Sequence, residues 1–132
     1  MTTSHINDFT IKIATVNGTG SASANTLLMK SIFRSGIPVV GKNYFPSNIQ
    51  GLPTWYEIRV TRDAHVARSG RIDIMVAMNA ETYARDVKEV APGGYLLFDS
   101  TWPRPAPSRS RLRPSTAMSS SRAPRQRSRW LP

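Results

Sequence analysis

The run from Ile72 to Met78 is apolar at every position except Asp73, and it constrains the fold more than any other stretch. A strand apolar on both faces must be covered on both, which in a small domain means a sheet with helices in front and behind. The flanking segments fit that demand. Phe9, Ile11 and Ile13 alternate with Thr10 and Lys12, and Ala14 and Val16 prolong the run, so 9–16 is expected to be a strand. It ends in Asn17-Gly18-Thr19-Gly20. Ala24, Leu28 and Ile32 then recur every four residues, with Leu27 and Phe33 widening the stripe, which predicts a helix over 21–35 stopped by Gly36.

Ile37-Pro38-Val39-Val40 reads as a short second strand, with Pro38 at its start or on an edge. No period is visible from Gly41 to Thr54, so a long loop is expected there. From Trp55 to Val60, Tyr56, Ile58 and Val60 share one face while Glu57 and Arg59 share the other, the pattern of a half-solvated strand near a sheet edge. Residues 61–70 look like a turn or hairpin connection. Asn79 is placed to cap a helix over 80–90 whose inner side is Ala80, Tyr83, Ala84 and Val87. Pro92-Gly93-Gly94 reads as a turn, and Tyr95–Phe98 as another fully buried strand. This alternation of strands and helices predicts an α/β fold with a doubly wound, mostly parallel sheet.

The pattern stops after Trp102-Pro103. The net charge of +10 divides at that point: residues 1–103 carry ten cations and eight anions, whereas 104–132 carry eight arginines and no acid. Five prolines, many serines and few large apolar side chains leave the tail too little surface to bury against its conformational entropy. The sequence thus divides into a domain over 6–103 and an Arg/Pro/Ser-rich tail over 104–132 expected to be disordered. Arginines can hold nucleic-acid phosphates, but no aromatic residue interleaves with these before Trp130, which weighs against a nucleic-acid interface. Cysteine is absent, which excludes disulfides, cysteine-ligated zinc and iron–sulfur ligation by this chain. With no basic n-region leading into an apolar run and no stretch of bilayer-spanning length, a cytoplasmic protein without membrane contact is the default.

Two segments hold the candidate binding residues. At Gly18-Thr19-Gly20-Ser21 a strand enters a helix through Gly-x-Gly, which lets backbone approach a phosphate at the positive helix end, with Ser21 adding a hydroxyl. Ser23 replaces the third glycine of a dinucleotide fingerprint, and no acid ends the second strand, so a free-standing NAD site is not supported. The alternative is that the glycines simply permit a tight turn. In the loop, Lys42, Asn43, Ser47, Asn48 and Gln50 gather donors suited to a phosphate or carboxylate. The alternative there is an Ω-like loop whose polar groups satisfy its own backbone. Asp99-Ser100-Thr101 ends a strand where α/β folds place ligand groups, and is equally a plain turn. His5 and His65 have no partner in a catalytic frame and are expected to be solvated. No catalytic triad, phosphate-binding Walker loop or metal-ligand spacing is present, so no catalytic or metal residue is assigned.

Val16-Asn-Gly-Thr-Gly-Ser-Ala-Ser-Ala-Asn25, Gly36-Ile-Pro and Gly41-Lys-Asn-Tyr-Phe-Pro-Ser-Asn-Ile-Gln-Gly-Leu-Pro-Thr-Trp-Tyr-Glu-Ile-Arg59 together carry a resemblance. They are similar to the N-terminal gamma-type domain of the alpha subunit of 2-oxoacid:ferredoxin (or flavodoxin) oxidoreductases, nearest the 2-oxoglutarate type. Asp73–Asn79 and Gly94–Pro103 continue the likeness, which spans about 7–103. The resemblance implies a Rossmann-like fold packed against a thiamine-diphosphate-binding alpha domain and a beta subunit. It further implies a complete enzyme that decarboxylates a 2-oxoacid oxidatively to an acyl-CoA, passing electrons through iron–sulfur centres to ferredoxin. Thiamine diphosphate and its Mg²⁺ would belong to the other domains, leaving this chain without a resident cofactor and inactive alone. Because some members use the gamma domain for coenzyme A, the Gly18/Gly20 turn and the Lys42–Gln50 loop are the implied contacts. A CoA- or nucleotide-binding module without enzymatic activity is the alternative.

The resemblance also implies that the chain should continue past Pro103 into a thiamine-diphosphate domain. The 29 residues that follow have the composition a shifted reading frame in G+C-rich DNA would decode. A truncated or frameshifted subunit is therefore expected, with a natural tail for partner or nucleic-acid contact as the rival. DNA sequence downstream of the Pro103 codon decides between them.

Overall fold

A computed structural model describes residues 7–45, 49–65, 67 and 69–99. Seven elements follow in chain order: β1 (Asp8–Val16), α1 (Ser21–Arg34), β2 (Val39–Tyr44), β3 (Pro53–Thr61), β4 (Ile72–Ala77), α2 (Tyr83–Glu89) and β5 (Val90–Phe98). The strands form one sheet in the order β2-β3-β1-β4-β5. β1 pairs in parallel with β4, and β4 with β5, while β3 runs antiparallel to both β1 and β2. Four strands therefore point one way and β3 alone points back, which is the mostly parallel α/β sheet expected from the sequence. The tail beyond 103, His5, and the Ser100-Thr101 portion of the last strand-end turn lie outside the described residues. Among the described residues no helix is long and apolar enough to cross a membrane.

Period-two alternation sends successive side chains to opposite faces. On one face, Phe9, Ile11, Ile13, Tyr56, Ile58 and Val60 pack with Met29 and Ile32 of α1. On the other, Met75, Ala77 and Leu96 pack with Tyr83 and Val87 of α2. On the α2 face of β4, Met75 and Ala77 have no exposure, whereas Ile74 and Val76 on the other face are only partly buried, so β4 is fully covered on one face rather than on both.

The α2 face of β1 and β3 is unusually polar. Glu57 is buried rather than solvated, and directly opposite it Lys12 forms an ion pair with Glu89 of α2. Asp86, fully buried, accepts hydrogen bonds from the Trp55 indole nitrogen at 3.0 Å and the Thr82 hydroxyl at 2.6 Å. The Arg85 guanidinium lies 4.2 Å from the Trp55 ring centroid, close enough for a cation–π contact. These links tie α2 to β3, so the Glu57/Arg59 face expected to meet water is largely covered.

Several expectations change. The inward stripe of α1 is Asn25, Met29 and Ile32, whereas Ala24, Leu28, Leu27 and Phe33 are exposed. β2 continues to Tyr44 and β3 begins at Pro53, so paired strand replaces both ends of the expected loop. Asn79 caps a turn, accepting from Glu81 N–H at 3.0 Å, and the helix starts only after Thr82, which leaves Ala80 and Ala84 exposed. Pro92-Gly93-Gly94 lies within β5 at an irregularity, where pairing jumps from Ile72–Val90 to Ile74–Tyr95 and Gly93 takes φ 79°. β5 is an edge strand buried on one face only. Leu96 packs under α2, but Tyr95 and Leu97 are 46% and 49% exposed on the other face, where α1 lies over β2, β1 and β3 instead.

Candidate functional site

The Val16–Gly20 turn is shaped by its own hydrogen bonds. Thr19 donates its hydroxyl to the Val16 carbonyl at 2.7 Å, while the backbone of Asn17 pairs with Leu52 and Gly51. Gly18 and Gly20 adopt φ 86° and 77°, a region glycine enters without the steric cost of a Cβ. Gly20 stands at the N-cap of α1 and supplies no side-chain cap. The first backbone bond of the helix joins Ala24 N–H to the Gly20 carbonyl, so the N–H groups of Ser21, Ala22 and Ser23 have no partner within the helix. Those uncapped amides carry the positive end of a 14-residue helix.

The turn borders a cavity of about 230 Å³. Gly18, Gly20, Ser21, Ala22 and Asn25 line it from the turn and helix, Thr15 and Asn17 from β1 and its exit, and Asn43, Phe45, Thr54 and Tyr56 from the hairpin. The Thr15 hydroxyl donates to Ser21 Oγ at 2.9 Å, which leaves the Ser21 proton free to donate outward. Thr54 donates to the Tyr44 carbonyl at 3.3 Å, and Tyr56 points its hydroxyl to Met29 Sδ at 3.6 Å. Every side chain that lines it among the described residues is uncharged.

The structure brings together four of the residues singled out from the sequence: Gly18, Gly20, Ser21 and Asn43. It separates Lys42 from them and sets Gln50 against the turn. Asn43 pairs with Tyr56 and shares its face, whereas Lys42 pairs with Glu57 and so stands on the opposite, α2 side of the sheet. There the Lys42 ammonium lies 5.3 Å from the Tyr44 ring centroid. Gln50 packs over the turn: a Cβ on Gly18 would come within 2.7 Å of Gln50 Cγ. Ser47 and Asn48 lie outside the described residues. His65 is exposed, as expected. Among the described residues no three His, Asp or Glu side chains gather as a metal site. The sequence reading missed Asn25, Thr54 and Tyr56. Asn25 falls on the buried stripe only once Met29 and Ile32 are known to face the sheet, and the sequence does not show that rotation.

An open-edged α/β domain with an uncapped helix N-terminus facing a cavity belongs to the broad class of domains that offer backbone amides to a ligand. The comparisons narrow this. A family model described as pyruvate ferredoxin/flavodoxin oxidoreductase matches residues 10–127, and the chain belongs to that family. Subunit alpha of 2-oxoacid:ferredoxin oxidoreductase 2 from Aeropyrum pernix is 30% identical over 92 residues, which is 70% of this chain and 14% of that subunit. The 2-oxoglutarate:ferredoxin oxidoreductase of Magnetococcus marinus superposes with a TM-score of 0.68 at 22% identity, over 80% of this chain and 19% of that one. The gamma subunit of a keto/oxoacid ferredoxin oxidoreductase from Geobacter sulfurreducens gives 0.58 at 19% identity, over 74% and 56%. These two structural likenesses establish the fold, and the family resemblance carried by the turn and loop sequence is borne out.

Proposed function

We propose that this chain serves as the gamma-type domain of a 2-oxoacid:ferredoxin oxidoreductase of the 2-oxoglutarate type, and that its α1 cavity contacts coenzyme A. The observation that carries the reading is the convergence of Gly18, Gly20, Ser21 and Asn43 on one cavity at an uncapped helix end. The backbone amides of Ser21–Ser23 and the Ser21 hydroxyl can hold a ligand oxygen, and the Asn43 carboxamide can fix its orientation. In the complete enzyme, thiamine diphosphate with Mg²⁺ supplies the carbanion chemistry from the neighbouring alpha domain and beta subunit. Without a cysteine this chain offers no thiolate for the iron–sulfur centres that pass electrons to ferredoxin.

Two measurements test the reading. The purified chain should show no 2-oxoglutarate oxidation with thiamine diphosphate, Mg²⁺, CoA and ferredoxin, and turnover under those conditions would refute it. CoA titration should lose affinity with Gly20→Val, which forces a branched side chain into a left-handed backbone, and should be unchanged with Lys42→Ala on the far face. The opposite ranking would place the ligand elsewhere.

A further inference from the structure

The cavity is faced by carboxamides that no described side chain or backbone group engages. Asn25 is 7% exposed, while the neighbouring apolar residues Leu27 and Leu28 are 65% and 42% exposed on the same helix. A helix that turns an asparagine inward and leucines outward sacrifices burial of apolar surface. Asn25 makes no side-chain hydrogen bond among the described residues, and its amide atoms are not fully enclosed, so a carboxamide on a residue this buried opens onto the cavity it lines. Asn43 lines the same cavity, and its carboxamide is likewise without a partner among them. The other polar side chains of the lining are engaged: Thr15 with Ser21, Thr54 with Tyr44, Asn17 with Ile49.

A carboxamide presents one acceptor and two donors on a planar edge. A phosphate satisfies only the donors and leaves the amide oxygen facing another oxygen. Among the described residues the lining holds no cation, so these residues offer a multiply charged group no counter-charge. The complementary ligand edge carries an N–H beside an acceptor, and against Phe45 and Tyr56 it can be flat and apolar on its faces. We infer that Asn25, with Asn43, recognises such a paired donor–acceptor edge, an amide or an aminopurine, and that the cavity takes an uncharged part of its ligand and leaves the phosphates outside. This rests on the proposed CoA reading, in which the ligand offers both sources, the amides of its pantetheine arm and its adenine ring.

The test is calorimetric titration of the full chain with CoA, pantetheine, adenosine and adenosine 3′,5′-bisphosphate, repeated with Asn25→Leu and Asn43→Ala, each variant first melted to show that it folds. One neutral fragment should bind, and its identity names the source: pantetheine an amide, adenosine the purine. Its affinity and that of CoA should fall about tenfold or more in Asn25→Leu, as expected for a lost hydrogen-bonded pair. Binding of CoA that tracks the bisphosphate, ignores both neutral fragments and is unmoved by Asn25→Leu overturns the inference and spares the CoA reading. A neutral fragment that binds through Asn25 while CoA does not overturns that reading and spares the inference. No binding by any of the four overturns both.

Discussion

Asp86 offers the sharpest test of how this domain holds together. Its carboxylate is fully buried, with one oxygen taking the Trp55 indole N–H and the other the Thr82 hydroxyl. Asp86→Ala leaves two donors facing a space that no longer contains an acceptor. Thr82 is itself buried and bears the full penalty, while Trp55 is half-buried and recovers part of its bond from water. A buried donor left unpaired costs about 1–3 kcal/mol, so the pair sums to about 2–4 kcal/mol. For a domain of this size each kcal/mol shifts the midpoint by about 4–8 °C, which gives a drop of about 8–32 °C. Thermal unfolding followed by far-ultraviolet circular dichroism measures it, with urea titration to check that the slope is unchanged. Asp86→Asn keeps an acceptor for the indole and should recover about half of the loss. Trp55→Phe combined with Asp86→Ala should destabilise by less than the sum of the two, because both remove the same bond. An Asp86→Ala midpoint within about 2 °C of the parent, or strict additivity with Trp55→Phe, would refute this account.

Two further outcomes follow from packing. A Cβ at Gly41 would overlap the Tyr56 hydroxyl and the Met29 sulfur beneath α1, so Gly41→Ala should destabilise by about 1–3 kcal/mol through overpacking, read by the same melt. Leu97 stands half-exposed on the open flank of β5, so Leu97→Asp should cost the isolated chain about 1 kcal/mol, the worth of the half of the side chain that is buried; a loss above about 3 kcal/mol would show that the flank is covered in solution.

Strong periodicity made β1, the Gly-x-Gly turn and the bounds of α1 legible, because alternation and a 3.6-residue repeat survive without tertiary information. The rotation of α1 was not legible. Leu27, Leu28 and Phe33 are as apolar as any core residue, and hydrophobicity alone cannot distinguish a side chain turned to the sheet from one left outside. β2 was cut short because Gly41-Lys42-Asn43-Tyr44 has no apolar alternation, its pairing being supplied by the β3 backbone. The bulged start of β5 looked like a turn, since Gly93 does adopt a turn-like φ. As for the site, composition grouped Lys42 with Asn43, yet a strand sends neighbours to opposite faces. The cavity therefore holds neutral groups where the sequence suggested a cation.

The flank of β5 has a consequence for how this protein behaves in solution. Among the described residues β5 is the last strand of the sheet on that side, with the half-exposed Tyr95 and Leu97 on its open face and no proline or charge in the Tyr95–Phe98 segment to blunt the edge. Such an edge is a template on which a further strand can grow. The isolated chain is therefore expected to associate along that border as its concentration rises, and a companion polypeptide that covers the border is expected to raise its solubility.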